Sequence, residues 1–330
     1  MPDTILVTGG AGFIGSHTCK ALARAGHRPV SFDNLSTGHA DAVRFGPLVQ
    51  GDVRDPNAVE AALRAHGAKA VIHFAASAYV GESMADPAKY YDNNVGGMIG
   101  LVQGCRAAGV SRIVFSSSCA TYGTPDRLPI RETTPQRPIN PYGRTKLIGE
   151  EILRDLGVEG MRHVALRYFN AAGADPEGEL GERHDPETHL LPLALRAASG
   201  QGGPLSIFGT DYPTPDGTCI RDYIHVADLA RAHVLALGRL MAGGESLAVN
   251  LGTGRGQSVR EIVAAIERIT GRAVPVRLEA RRPGDPAELV ADPALAASEL
   301  GFRTQLSDIG SIVRHAAPWF GLEPAHVEAA

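Results

Sequence analysis

The chain has 330 residues, and its 32 Lys and Arg against 36 Asp and Glu give a formal net charge of −4. That balance carries no electrostatic footprint for nucleic acid, and the 44% hydrophobic, 21% charged composition is that of a globular protein. The length suits two packed lobes, or one large domain with a smaller lobe appended.

From the start, "TILVTGG" (4–10) enters a strand pattern at once, so an export signal is not expected. Up to about residue 170, short apolar runs at 5–9, 29–33, 47–52, 70–76, 112–118 and 163–169 read as buried strands. Between most of them lie helical periods at 14–25, 57–66, 88–108 and 142–156. Near-continuous apolar strands alternating with helices predict a parallel sheet covered on both faces. The longest apolar stretches, such as "AVIHFAA" (70–76), are too short to cross a bilayer, and no membrane association is expected. After about 175 the rhythm breaks into a polar loop, "GADPEGELGERHDPETH" (173–189). Later, "QSVREIVAAIERITG" (257–271) predicts a helix, with Ser258 and Glu261 as a capping box and Gly271 as its stop.

The expected fold is therefore α/β: a Rossmann-type doubly wound parallel sheet with a smaller C-terminal α/β lobe. Residues 1–174 form the nucleotide-binding domain, completed by later segments near 223–250, and 175–330 form mainly the second lobe. The cysteines Cys19, Cys105, Cys119 and Cys219 are scattered without a C-x-x-C. Neither a disulfide framework nor a zinc site follows; no metal centre is expected, and a reducing cytoplasm suits the chain.

"TGGAGFIGSH" (8–17) follows the first strand and opens the first helix. Gly9 permits a tight turn, Gly12 lets the backbone approach a pyrophosphate, and Gly15 lets helix pack on strand. The helix N-terminus then offers N–H groups and a partial positive charge to phosphate. Asp33 ends the next strand, about 20 residues on, where a carboxylate binds a ribose diol. No Arg directly follows it, which favours NAD over NADP. Asp52, after the third strand, either meets the adenine or caps the next segment.

In "NPYGRTK" (140–146), Asn140 caps a helix and Pro141 suits its first turn. Tyr142 and Lys146 then share one face at i and i+4. A tyrosine is a poor base at its free pKa of about 10. A neighbouring ammonium and the positive nicotinamide of NAD⁺ are expected to lower it. A serine from "FSSSCATYG" (115–123) is placed to share a hydrogen bond with a substrate hydroxyl.

With "HFAA", "YYDNNV" and "RYFNAAGA", these strings resemble the extended short-chain dehydrogenase/reductases. "FGTDYPTPDGTCIRDYIHVADLA" (208–230) and "RRPGD" (281–285) are similar to the UDP-glucose 4-epimerases in particular, and the resemblance runs from Thr4 to beyond Asp292. It implies an NAD-dependent isomerase acting at C4 of a UDP-sugar. Ser118, Tyr142 and Lys146 would be catalytic. Besides the glycines, Phe13, Ile14, Asp33, Asn34, Asp52, Val53, Phe74, Ala75, Ala76, Asn93, Ser116, Tyr142, Lys146 and Phe169 would line the NAD site. The UDP-sugar would be held by Ser118, Tyr142, Asn170, Leu190, Ser206, Phe208, Arg221, Tyr223, Arg282 and Asp285. Relatives commonly form homodimers, which makes 88–108 and 142–156 the expected contact.

Three positions depart from the family pattern. Ala78 stands where a lysine is frequent near the cofactor, His189 where an asparagine is common, and Leu289 where some members carry a tyrosine beside the sugar. The last leaves UDP-N-acetylglucosamine open as a substrate, and "SSSCATYG" is also similar to relatives acting on UDP-xylose and UDP-arabinose. A nucleotide-sugar dehydratase would carry an Asp–Glu pair where this chain has Cys119 and Ala120. A non-catalytic NAD-binding protein would not need the intact Tyr–Lys pair.

Overall fold

The computed structural model describes residues 2–282 and 285–324; Pro283 and Gly284 of the "RRPGD" string lie outside the described residues. Six strands arise in the first half: β1 (Thr4–Thr8), β2 (Arg28–Asp33), β3 (Leu48–Gln50), β4 (Ala70–His73), β5 (Arg112–Ser116) and β6 (Arg162–Tyr168). There follow β7 (Asn170–Ala172), β8 (Leu205–Phe208), β9 (Ile220–His225) and β10 (Leu247–Leu251). The last three are β11 (Gly256–Ser258), β12 (Val276–Glu279) and β13 (Glu288–Leu289).

The central sheet has seven strands in the order β10-β6-β5-β4-β1-β2-β3, all parallel. β1 lies between β2 and β4, so the chain winds outward in both directions from it. The carboxyl ends of β1 and β4 mark the topological switch point, where such sheets form the crevice that binds ligands. Both faces are covered. On one, Ile5, Val7 and Ile72 pack with Leu229, Ala236 and Leu240 of the helix Val226–Met241. On the other, Leu6, Val30 and Val71 pack with Val59 and Leu63 of Pro56–His66 and Leu101 of Gly97–Ala108. This two-sided burial is why β1 and β4 are apolar along almost their whole length.

A smaller lobe is built around β9, which pairs with β7 and β13 in parallel and with β11 antiparallel; β8 and β12 form a separate pair. Its core joins Leu191 and Leu195, Ile262 and Ile266, and Ile312 and Val313 from three helices. The helix Val259–Thr270 begins at Ser258 with the expected capping box to Glu261, and Gly271 ends it in the left-handed conformation. The 173–189 stretch is a loop, as its Gly, Pro and Asp content requires.

One helix differs from its sequence pattern. The 88–108 period is broken into Pro87–Tyr90, a π-helical turn at Tyr91–Gly96, and Gly97–Ala108. The cause is tertiary. Buried Asn94 accepts from Ser77 N at 2.8 Å and donates to Ser77 O and to Thr145 Oγ1, each at 3.0 Å. Satisfying that side chain displaces the regular ladder, and such bulges favour functional sites.

Candidate active site

At the crevice the glycine loop closes on β4. Gly9 has φ of +72°, and a Cβ there would lie 2.7 Å from Ala75 N. A Cβ on Gly15 would lie 2.1 Å from Gly9 O, so helix and turn touch only because it is absent. Gly12 is different: a Cβ there would meet Gly9 O at 3.3 Å and little else, so it borders open space. The helix Phe13–Arg24 starts at Gly12 with no side-chain cap and no acidic residue in its first turn. Its first N–H groups, including those of Phe13 and Ile14, thus suit an anion, and the cradle fits a dinucleotide pyrophosphate.

Asp33 is buried at the end of β2 and accepts from Ala11 N at 3.0 Å and Leu35 N at 2.8 Å. Each carboxylate oxygen keeps capacity for a second donor, as a ribose diol would supply. Asn34 donates to Asp52 at 3.2 Å. The Arg54 guanidinium holds the Asp52 carboxyl down at about 2. Asp55 caps the helix Pro56–His66, while Asp52 accepts from Arg54 N at 2.9 Å in the turn before it. Val53 is buried behind this edge. Ala75 and Ala76 follow β4, whereas the Phe74 ring packs under the helix Val226–Met241 against His233. Asn93, in the π turn, donates to Ser77 Oγ at 3.1 Å.

Asn140 accepts from Gly143 N at 2.8 Å and so starts the helix Pro141–Asp155 where the sequence placed it. Its buried face carries Tyr142 and Lys146. Lys146 Nζ donates to Ser116 O at 2.8 Å and stands 5.8 Å from the centre of the Tyr142 ring. Ser116 Oγ bonds Tyr168 OH at 2.6 Å. Ser118 follows β5, accepts from Ala120 N at 3.1 Å, and presents its hydroxyl to the Tyr142 phenol. Burial pulls Lys146 down to about 7. Burial pushes the Tyr142 phenol up, and the neighbouring Ser118 hydroxyl offsets only part of that. Desolvation of the enclosed phenol is the largest influence on it.

Beneath the helix lies a polar network that sequence reasoning missed. Glu150 pairs with Arg167 at 2.6 Å, with both side chains almost wholly buried. Glu150 also accepts from Ser117, and Arg167 donates to Tyr122 OH at 2.8 Å. Glu150 lies one helical turn beyond Lys146, a legible position, but its partner on β6 is set by the fold. The network fixes the strand end that carries Ser116 and Ser118 against the helix that carries Tyr142.

The second lobe carries the remaining candidates. Arg221 on β9 pairs with Asp285, and the Arg282 guanidinium stacks 3.9 Å from the centre of the Phe208 ring. The charge of Arg221 also reaches the Cys119 thiol, next to Ser118. Asn170 and Tyr223 are directly paired across β7 and β9, and Tyr223 is buried in the lobe core. Leu190 opens the helix Leu190–Ser199. Ser206 is on β8 and accepts from Arg277 at 3.3 Å. Buried Phe169 packs with Cys119, Tyr122 and Ile130, and Leu289 on β13 packs against the same group. His189 is held by Glu187 at 2.8 Å and by Glu182 at 3.2 Å. Ala78 is followed by Tyr79, whose ring meets His184 and His189.

This arrangement has close counterparts among known proteins. Residues 5–252 match the family described as "NAD dependent epimerase/dehydratase family". The UDP-glucose 4-epimerase of Rhizobium meliloti (strain 1021) is 52% identical over 318 residues, covering 96% of this chain and 97% of that protein. The crystal structure of UDP-glucose 4-epimerase from Brucella ovis in complex with NAD is 62% identical, with a TM-score of 0.96, covering 98% of this chain and 99% of that one. A Stenotrophomonas maltophila UDP-glucose-4-epimerase, solved with NAD and formylated UDP-arabinopyranose, is 42% identical with a TM-score of 0.93, covering 97% and 98% of the two chains. The chain belongs to the NAD-dependent epimerase/dehydratase family, alongside its UDP-glucose 4-epimerases.

Proposed function

We propose that the protein interconverts UDP-glucose and UDP-galactose by inverting C4, with NAD as a resident cofactor. What supports this is that Lys146 Nζ, bonded to Ser116 O at the end of β5, stands 5.8 Å from the centre of the Tyr142 ring, with the Arg221 charge reaching Cys119 beside Ser118. Asp33, the N-terminus of Phe13–Arg24 and the ends of β4 and β5 would hold the cofactor. Bound NAD supplies the hydride-accepting and hydride-returning chemistry at C4.

The protein's own part is proton transfer and grip. Tyr142 takes the proton from the sugar 4-hydroxyl and later returns it, while Ser118 shares the hydrogen bond. Lys146 sits close enough to favour the phenolate over the buried phenol. Arg221 and Arg282 bind the diphosphate with forked donors, Phe208 stacks on the uracil, and Asp285 accepts from ribose. The grip is on UDP, so the sugar can turn and present its other face to the same tyrosine. We further infer the lobe division at about residue 175, a cytoplasmic setting suited to four free cysteines, and a homodimer through Gly97–Ala108 and Pro141–Asp155. Ile99 faces outward on the first of these helices at 44% exposure, as such a contact needs.

The test is to incubate purified protein with UDP-galactose, UDP-N-acetylglucosamine and UDP-xylose in turn, without added NAD. UDP-glucose should form from UDP-galactose at the highest rate. A sugar that loses water, or an inert UDP-galactose, overturns the reading.

A further inference from the structure

The 173–189 loop holds a side-chain cluster that the proposed reaction does not use. Glu182, His184, Glu187 and His189 each offer one ligand atom, and these atoms lie within 4.8 Å of one another. His189 Nδ1 is 2.8 Å from Glu187 Oε1, and both histidine Nδ1 atoms are 3.2 Å from Glu182 Oε1. His184 Nδ1 is 3.5 Å from Glu187 Oε2. A tetrahedral ion with bonds of about 2.1 Å needs donor-to-donor edges of about 3.4 Å. The four groups are already spaced to within a small adjustment of that figure.

Charge points the same way. The Glu182 and Glu187 side chains are only 5% and 2% exposed, and among the described residues neither is bridged by Lys or Arg. Arg183, the nearest in sequence, turns away to Asp41. Two buried carboxylates without a Lys or Arg partner call for a countercharge between them, which the two imidazoles supply when protonated and a divalent ion supplies in full. His184 supplies the second observation. Its Nδ1 is closed off from solvent and makes no hydrogen bond, although it faces two carboxylate oxygens.

We propose that Glu182, His184, Glu187 and His189 form a divalent transition-metal site. Two imidazoles and two carboxylates suit Zn²⁺ or Co²⁺ better than the oxygen-seeking Ca²⁺ or Mg²⁺. The other acidic group of the loop, Asp175, Glu177 and Glu179, differs because Lys20 Nζ already occupies it, 2.6 Å from Asp175. The cysteine pattern gave no hint of a metal, and the spacing of these four ligands matches no familiar motif; only the folded loop brings them together. The His184 ring lies 6.2 Å from that of Phe13 at the glycine loop, and His189 sits at the start of Leu190–Ser199. An ion here ties the loop between the two ligand-binding edges. These are positioning residues, outside the chemistry at C4.

The test uses the full chain as purified with its cofactor, stripped by a chelator and titrated with Co²⁺ near neutral pH. Bound metal is counted by elemental analysis and its geometry read from visible absorption. About one ion per chain is expected, with the intense bands of tetrahedral Co²⁺. His184→Gln and Glu182→Gln should weaken binding by more than the roughly 10-fold cost of losing an outer-shell partner. Glu179→Gln, in the lysine-filled group, should bind as the parent does. Circular dichroism and cofactor content establish that each variant is folded, and His189→Asn replaces any that is not. Failure to bind Co²⁺, or equal binding by parent and all cluster variants, overturns the proposal.

Discussion

In the proposed mechanism Tyr142 alone carries the proton. Tyr142→Phe removes the only atom that exchanges the proton, while Arg221, Phe208 and Arg282 are untouched. Turnover of UDP-galactose should fall by about 10²–10⁴-fold, with UDP affinity unchanged by calorimetry. In the proposed mechanism Lys146 acts through that tyrosine. Lys146→Ala removes the cation that favours the phenolate, so a smaller fraction of Tyr142 is deprotonated at any given pH. The acid limb of the kcat/KM profile should move to higher pH, and an unmoved limb contradicts the role. The pair itself was legible, because i and i+4 spacing after Asn140–Pro141 is local information. Its proton affinities were not. They depend on burial, which draws Lys146 to about 7 and raises Tyr142, and burial belongs to the assembled site.

At the scale of elements, the glycine loop separates two roles that its spacing alone merges. Gly12→Ala adds a methyl toward open space and should leave the melting temperature nearly unchanged while lowering the NAD carried through purification. Gly15→Ala drives a methyl into Gly9 O and should destabilise the fold itself. Equal losses of stability in the two variants would sink this distinction. The Glu150–Arg167 pair offers a second test. Arg167→Met strands a buried carboxylate beneath the catalytic helix and should cost about 3–5 kcal/mol in denaturant unfolding. Helix starts and stops such as Ser258–Glu261 and Gly271 were readable because capping is local. The π turn at Tyr91–Gly96 was not, because the Asn94 bonds that impose it come from Ser77 and Thr145.

For the molecule as a whole, the proposed function divides the work: the sheet holds the cofactor and the β9 lobe grips UDP. The alternation of strands and helices already predicted the sheet; the return of β10 to its edge beside β6 needed the fold to fix it. The Arg221–Asp285 pair joins residues far apart in sequence, and only the pairing of β13 with β9 brings them together. Arg221→Ala should weaken UDP binding by about 1.5–3 kcal/mol, the usual worth of hydrogen bonds to a charged group, and unchanged affinity would remove it from the site. The central claim is that C4 inverts by hydride removal and return within one closed site, with Tyr142 handling only the hydroxyl proton. Turnover of UDP-galactose carrying deuterium at C4 tests this most directly. The account predicts UDP-glucose with the deuterium still at C4; deuterium lost to water would contradict it.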